Sequence, residues 1–176
     1  MSLVCRQYAK AFFDLAKQEN ALETYKDELT AVTDIYKSEK TFQNFILDPK
    51  ISKNYKKNLI RVFQSNIGTN TLNFLMLLLD KNRIKYLPEI FEEFIKIFDK
   101  EKNILSITIT SAIPLDQKYV DLVSEKYKKL YNSADVKVTL VNDKTLLGGI
   151  KVAIGDKLYD ASLKESLRRL RSSMSM

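Results

Sequence analysis

EKNILSITITSAIPLD, residues 101–116, is where the chain changes its pattern. Ile104, Ser106, Thr108 and Thr110 alternate with Leu105, Ile107, Ile109 and Ser111. This period of two in a β-branched run predicts a strand that ends near Pro114. Before Lys102 the apolar residues recur instead at spacings of three and four, the mark of one helical face. The chain therefore reads as α+β: an N-terminal six-helix antiparallel bundle over residues 1–102, then a small α/β domain over residues 103–176 in the order β-α-β-β-α.

Working back from the switch, a helix over about residues 87–100 tolerates Pro88 in its first turn and buries Ile90, Phe91, Phe94, Ile95 and Phe98. Before it, TNTLNFLMLLLDKN, residues 69–82, is apolar nearly all the way round. Such a helix is either central in the bundle or keeps one face open for a partner. Ser52 is placed to cap an earlier helix with Tyr55, Leu59, Val62 and Phe63 facing inward. Phe42, Phe45 and Ile46 form a short piece that stops at Asp48, because a residue before proline is pushed out of the helical region. Leu22, Tyr25, Leu29, Val32 and Tyr36 mark a helix over residues 21–37, and Val4, Tyr8, Ala11, Phe12 and Leu15 mark the first.

Working forward, Asp116 caps a helix to about Tyr131 that buries Val120, Val123, Tyr127 and Leu130. Val136, Val138 and Leu140 alternate with polar neighbours as a second strand. Ile150 to Ile154 then turns through Gly155 and Asp156 into Leu158 and Tyr159, a hairpin. Ser162 and Glu165 form a capping box for a last helix carrying Leu163, Leu167 and Leu170.

Composition narrows the function. The lone cysteine, Cys5, has no internal disulfide partner, which points to a reducing compartment. Arg6, Lys10 and Asp14 interrupt any signal-peptide core at the start, and the longest apolar run, Phe74 to Leu79, is far short of the ~20 residues of a membrane span. The net charge of +7 is spread over both halves as lysines scattered among acids. This suits a solvated surface better than a nucleic-acid footprint. A basic helical nucleic-acid-binding module is the alternative reading.

Catalytic equipment is sparse. The chain has no histidine, the commonest general base and metal ligand. Glu92 and Glu93 lie on an amphipathic helix and read as solvated surface. Gly148, Gly149 and Gly155 match neither phosphate-loop pattern, so a hairpin or bulge role explains them. Arg168, Arg169 and Arg171 sit in the last helical turns, where cations complement the helix dipole, and they also suit an acidic partner.

Four stretches, in order, carry a family resemblance. RQYAKAFFDLA at residues 6–16 comes first; Phe74-Leu75, Leu78-Leu79 and Asn82-Arg83 come next; then Ala112, Pro114 and Leu115; last is LLGGIKVAIGDKLYDAS at residues 146–162, running on to Leu167 and Leu170. Together they resemble the delta subunit of F-type ATP synthases, the bacterial counterpart of the mitochondrial oligomycin-sensitivity-conferring protein. Two departures stand out. Ala161 occupies a position where the family usually has glycine, so positive φ is not expected there, and family arginines after the serine appear as Lys164 and Glu165.

The resemblance implies a non-catalytic stator subunit, with no catalytic residue, cofactor or metal. In that family the bundle binds the N-terminal helices of alpha subunits of the catalytic head, and the C-terminal domain binds the b subunits of the peripheral stalk. Torque from the rotor is thereby coupled to proton-driven ATP synthesis. The implied location is the cytoplasmic face of the cell membrane, peripheral, in a hetero-oligomer and without nucleic acid. By the family's pattern the alpha-subunit helix lies between helices one and five, which maps onto Tyr8, Ala11, Asn73, Phe74, Leu77 and Arg83. Phe74 and Leu77 equally suit a bundle core. Gly149, Gly155, Arg168 and Arg169 are the candidate contacts for the b subunit.

Overall fold

The structure, a computed structural model, describes residues 3–174, the side chains of 169, 170 and 172–174 excepted. It divides into two compact units, Met1–Phe98 and Asp99–Met176. The division falls within the last turn of the sixth helix.

The first unit contains α1 (Leu3–Gln18), α2 (Leu22–Ser38), α3 (Lys40–Leu47), α4 (Lys53–Arg61), α5 (Thr69–Asp80) and α6 (Leu87–Glu101). Asparagine ends three of these helices, at Asn20, Asn82 and Asn103, where glycine is the commoner choice. Asn20 has φ +53°, and the following Ala21 N–H reaches back to the Ala16 carbonyl at 3.0 Å. Asn82 has φ +54°, and the Arg83 N–H reaches the Leu78 carbonyl at 2.7 Å. The fifth helix therefore stops at Asp80 rather than Asn82, and the reversal sends Arg83 back toward α1. Asp48 is extended at ψ 118° before Pro49, which ends α3 as the proline rule requires.

Packing fixes which face of each helix turns inward. In α1 the buried row is Cys5, Ala9, Phe12, Phe13 and Ala16, whose small members let neighbouring helices approach. The stripe of Val4, Tyr8, Ala11 and Leu15 lies beside this row and is only partly covered, Ala11 being exposed. On α4 the inward residue is Ile60, at 2% exposure, whereas Tyr55 and Val62 are 69% and 70% exposed. Val62 leaves the expected inward row because the helix gives way to a 3-10 turn at Val62–Ser65, which advances each residue by a different angle. Phe63 stays against the core, edge-on to Phe42 at 5.6 Å. The α5 helix is central, with Leu75 and Leu78 fully covered, and it also keeps Asn73 and Leu77 outward.

The second unit contains β1 (Ile104–Ser111), α7 (Gln117–Tyr131), β2 (Asp135–Asn142), β3 (Gly149–Ile154), β4 (Lys157–Ser162) and α8 (Leu163–Met174). The sheet order is β2-β1-β3-β4. Parallel pairing of β1 with β2 needs a long crossover, which α7 supplies. The other pairings, β1 with β3 and β3 with β4, are antiparallel. Ile107 faces Ile154, and Ile109 faces Val152; with Tyr127 of α7 these form the core of the unit. Leu130 is 63% exposed, contrary to its expected burial. Tyr131 packs instead, partly buried against this core, and its hydroxyl lies 2.7 Å from that of Tyr159 of β4. At the start of α8 the Glu165 N–H donates to Ser162 Oγ at 3.3 Å, one half of a capping box. Asp160 takes the other half, accepting the Ser162 N–H at 2.9 Å, while the Glu165 carboxylate pairs with Arg168.

Candidate functional site

An open cavity of about 480 Å³ runs between α1 and α5, lined by Gln7, Tyr8, Ala11, Phe12, Leu15, Asn70, Asn73, Phe74, Leu77 and Arg83. All six residues assigned from the sequence to the alpha-subunit groove lie on it. Its floor is aromatic. Phe12 and Phe74 stack at 4.2 Å with 23° between their planes, and Tyr8 meets Phe74 edge-on at 6.4 Å. Phe74 is 8% exposed and belongs to the core as much as to the groove, whereas Leu77 is 44% exposed and stands on the rim. Ala11 is the low point of the α1 wall, since a methyl group leaves the backbone close to any occupant.

The two ends of the groove are built differently. At one end the Arg83 guanidinium donates to the Tyr8 hydroxyl at 2.9 Å, with its carbon 5.3 Å from the Tyr8 ring centroid. At the other end, Asn70 Nδ2 donates to Glu19 Oε1 at 2.6 Å and to the Tyr25 hydroxyl at 2.9 Å. The Tyr25 hydroxyl in turn donates to Glu19 Oε2. Burial, and after it this bond to Glu19, pushes the Tyr25 phenol up, so Tyr25 remains a donor. A carboxylate only accepts, which fixes the Asn70 amide with its nitrogen toward Glu19 and its carbonyl oxygen turned away. A second carboxylate, Glu28, accepts the Gly68 N–H at 2.8 Å and the Thr71 hydroxyl, pinning the start of α5 to α2.

Sequence reasoning did not name Gln7, Phe12, Leu15 or Asn70 as groove residues. A signal existed for three of them, because Gln7 and Leu15 flank Ala11 at helical spacing and Phe12 lies four residues beyond Tyr8. Asn70 was not readable, since its role depends on Glu19, 51 positions away in the chain.

Of the four residues assigned to a b-subunit contact, the two glycines lie at opposite ends of β3. Gly149 has φ +80°, and a Cβ there would lie 2.4 Å from the Ala161 carbonyl oxygen, so it is required by the close approach of β3 to β4. Gly155, at φ +55°, forms the hairpin turn at the opposite end of β3, ~20 Å away. Arg168 makes two bonds to Glu165, at 2.8 and 2.9 Å. The side chain of Arg169 lies outside the described residues. Ala161 is not among the positive-φ residues, as its departure from glycine suggested.

Among the described residues no cluster of three His, Cys, Asp or Glu side chains is arranged to hold a metal ion, and no helix is long and apolar enough to cross a membrane.

A sequence model of the family described as "ATP synthase delta (OSCP) subunit" matches residues 4–174. Curated relatives described as "ATP synthase subunit delta" include one from Acetivibrio thermocellus, 41% identical over 99% of this chain and 98% of its own length. One from Ruminiclostridium cellulolyticum is 36% identical over 100% of both chains. One from Bacillus cereus is 33% identical over 98% of this chain and 96% of its own. Among solved structures, a chain of the Toxoplasma gondii mitochondrial ATP synthase hexamer shares the fold, with a TM-score of 0.77 at 23% identity, over 100% of this chain and 99% of that one. Sequence identity along the whole length and a shared two-unit fold lead to one conclusion: the chain belongs to the ATP synthase delta (OSCP) subunit family.

Proposed function

We propose that this chain is the non-catalytic clamp of an F-type ATP synthase stator, holding the catalytic head to the peripheral stalk. The head experiences torque from the turning rotor, and an unanchored head rotates with it, so a fixed link is what converts rotation into ATP synthesis. In this reading the first unit takes the amphipathic N-terminal helix of an alpha subunit into the α1/α5 groove, and the second unit binds the b-subunit stalk. The complex then carries the chain at the cytoplasmic face of the cell membrane as a peripheral member.

The observation that carries the reading is the groove itself. An aromatic floor, an exposed alanine wall and polar groups at both ends form the receptor half of a helix-in-groove interaction, in which a partner lays its apolar stripe into a preformed channel. The basic nucleic-acid alternative is not favoured, because apolar contact and not phosphate-facing charge dominates this surface.

Two measurements test the proposal. Calorimetric titration with a peptide of the cognate alpha subunit's N-terminus gives saturable binding that persists as salt is raised, whereas a phosphate-type contact weakens steeply. A pulldown from native membranes retains alpha and b subunits. Recovery of neither would overturn the assignment.

A further inference from the structure

We infer that a second cavity of the first unit is a binding site for an aliphatic anion, a small molecule with one carboxylate and a medium-length acyl chain. The cavity holds about 400 Å³. It lies where the end of α3, the loop after it, the first turn of α4, the end of α5 and the turn that follows come together. It shares no lining residue with the α1/α5 groove. Its volume falls within the ~300–1,000 Å³ of small-molecule sites. Short segments surround it, whereas two long helices wall the α1/α5 groove. This suits a small ligand better than a docked helix, which is ~10–12 Å across.

Two chemistries meet in this cavity. The buried side chains of Ile46, Leu79 and Ile84 make its floor aliphatic. Lys53, Lys56 and Lys85 contribute three positive charges, and among the described residues no acidic side chain lines the cavity. Two acids in the adjoining turns are already engaged. The Asp80 carboxylate pairs with Lys57 at 2.7 Å, and Asp48 accepts the Lys50 backbone N–H at 2.8 Å. Lys53 Nζ donates to the Asp80 backbone carbonyl at 2.8 Å, a neutral acceptor that leaves the ammonium charge unbalanced. Lys56 is half-buried and makes no ion pair among the described residues.

The start of α4 adds to the imbalance. A helix N-terminus carries about half a positive charge and is stabilised by acidic side chains, yet α4 opens with Lys53, Lys56 and Lys57 and has no acid in its first turn. Ser52, at the N-cap position, makes no side-chain bond to the N–H groups there. Lysine repulsion and the helix dipole thus act together beside an apolar floor, and a carboxylate set among them relieves both. The floor then decides the rest of the ligand. An inorganic anion would leave that floor in water. A nucleotide would find no stacking partner for its base, because among the described residues no aromatic ring lines the cavity. An acyl chain that ends in a carboxylate satisfies the lysines and covers the floor at once.

The test is a magnetic-resonance titration of the full chain, labelled at its isoleucine and leucine methyl groups, with decanoate, decanol and acetate. Decanoate should give saturable shifts at Ile46, Leu79 and Ile84. Decanol should bind about tenfold more weakly, the worth of one charge-assisted contact, and acetate should leave these methyls unmoved. In the double variant Lys56→Gln, Lys85→Gln the preference for decanoate over decanol should disappear. Equal binding of decanoate and decanol by the parent chain, or an unchanged preference in the double variant, overturns the anion site. Decanoate shifts confined to Leu15 and Leu77 place the ligand in the α1/α5 groove and overturn it too. If a synthetic acidic amphipathic peptide shifts Ile46, Leu79 and Ile84 while decanoate does not, the cavity is a protein contact and the small-molecule assignment falls.

Discussion

Arg83 and Tyr8, 75 positions apart in sequence, are joined at the groove mouth by a 2.9 Å hydrogen bond and by the guanidinium's position against the Tyr8 ring. The first contact is lost in Tyr8→Phe and the second is retained. We expect Tyr8→Phe to lower the stability of the bundle by about 1 kcal/mol. Chemical denaturation of Tyr8→Phe, Arg83→Gln and the double variant measures the coupling, and strictly additive losses would show that the bridge contributes nothing.

Ala11→Asp tests the groove without disturbing the core, because Ala11 is exposed. Its melting transition should match the parent. Affinity for the alpha-subunit peptide should fall by about 3 kcal/mol or more, since the docked helix would bury an unpaired carboxylate. Unchanged calorimetric affinity in a folded variant removes Ala11 from the interface.

Phe74 and Leu77 are one helical turn apart, yet we expect opposite phenotypes. Phe74→Ala deletes a ring stacked on Phe12 and should cost about 3–5 kcal/mol of folding stability. Leu77→Ala removes a side chain that is 44% exposed in the free chain. It should change stability by less than about 1 kcal/mol while weakening peptide binding. Equal destabilisation by the two substitutions would make Leu77 a core residue.

Gly149→Ala forces a Cβ to 2.4 Å from the Ala161 carbonyl oxygen at φ +80°, whereas Gly155→Ala, at φ +55°, meets nothing within 4 Å. The first should destabilise the second unit by about 3 kcal/mol and the second by about 1 kcal/mol. Thermal unfolding of the two variants gives the order directly, and a larger effect at Gly155 would contradict the β3–β4 packing.

Bonds from the Ser162 side chain, then from its backbone N–H, hold the Asp160 carboxyl below the usual carboxylate range. Because the folded value is depressed, the contribution of Asp160 is present above the unfolded value of ~3.9 and disappears as pH falls through its own lower value. Protection of the Ser162 amide against hydrogen exchange should decline over that acid range. In Asp160→Asn the decline should lose its pH dependence.

Much of the architecture was legible because it is written in local periodicity. The switch from helical spacing to alternation near Asn103, the stop at Asp48-Pro49 and the Gly155-Asp156 hairpin each depend on residues close in sequence. Phase errors arose where a distant element decides which face turns inward. Val62 is exposed because a 3-10 turn follows α4, and Leu130 gives way to Tyr131, whose hydroxyl meets that of Tyr159, 28 positions on. The groove shows the same division: helical spacing carries Tyr8, Ala11 and Leu15 on one wall, while the fixed Asn70 amide depends on Glu19 and Tyr25.

By itself the sequence determined a helical bundle joined to a small mixed sheet, the family motifs, and a fifth helix too apolar for its length to be satisfied by one neighbour. Only the tertiary structure decided how that excess is divided: Phe74 is folded under Phe12 and Leu77 is left outside. Hydrophobic periodicity records how much apolar surface a helix carries, but burial belongs to pairs of surfaces, and the pairing of α1 with α5 exists only once the chain has closed on itself.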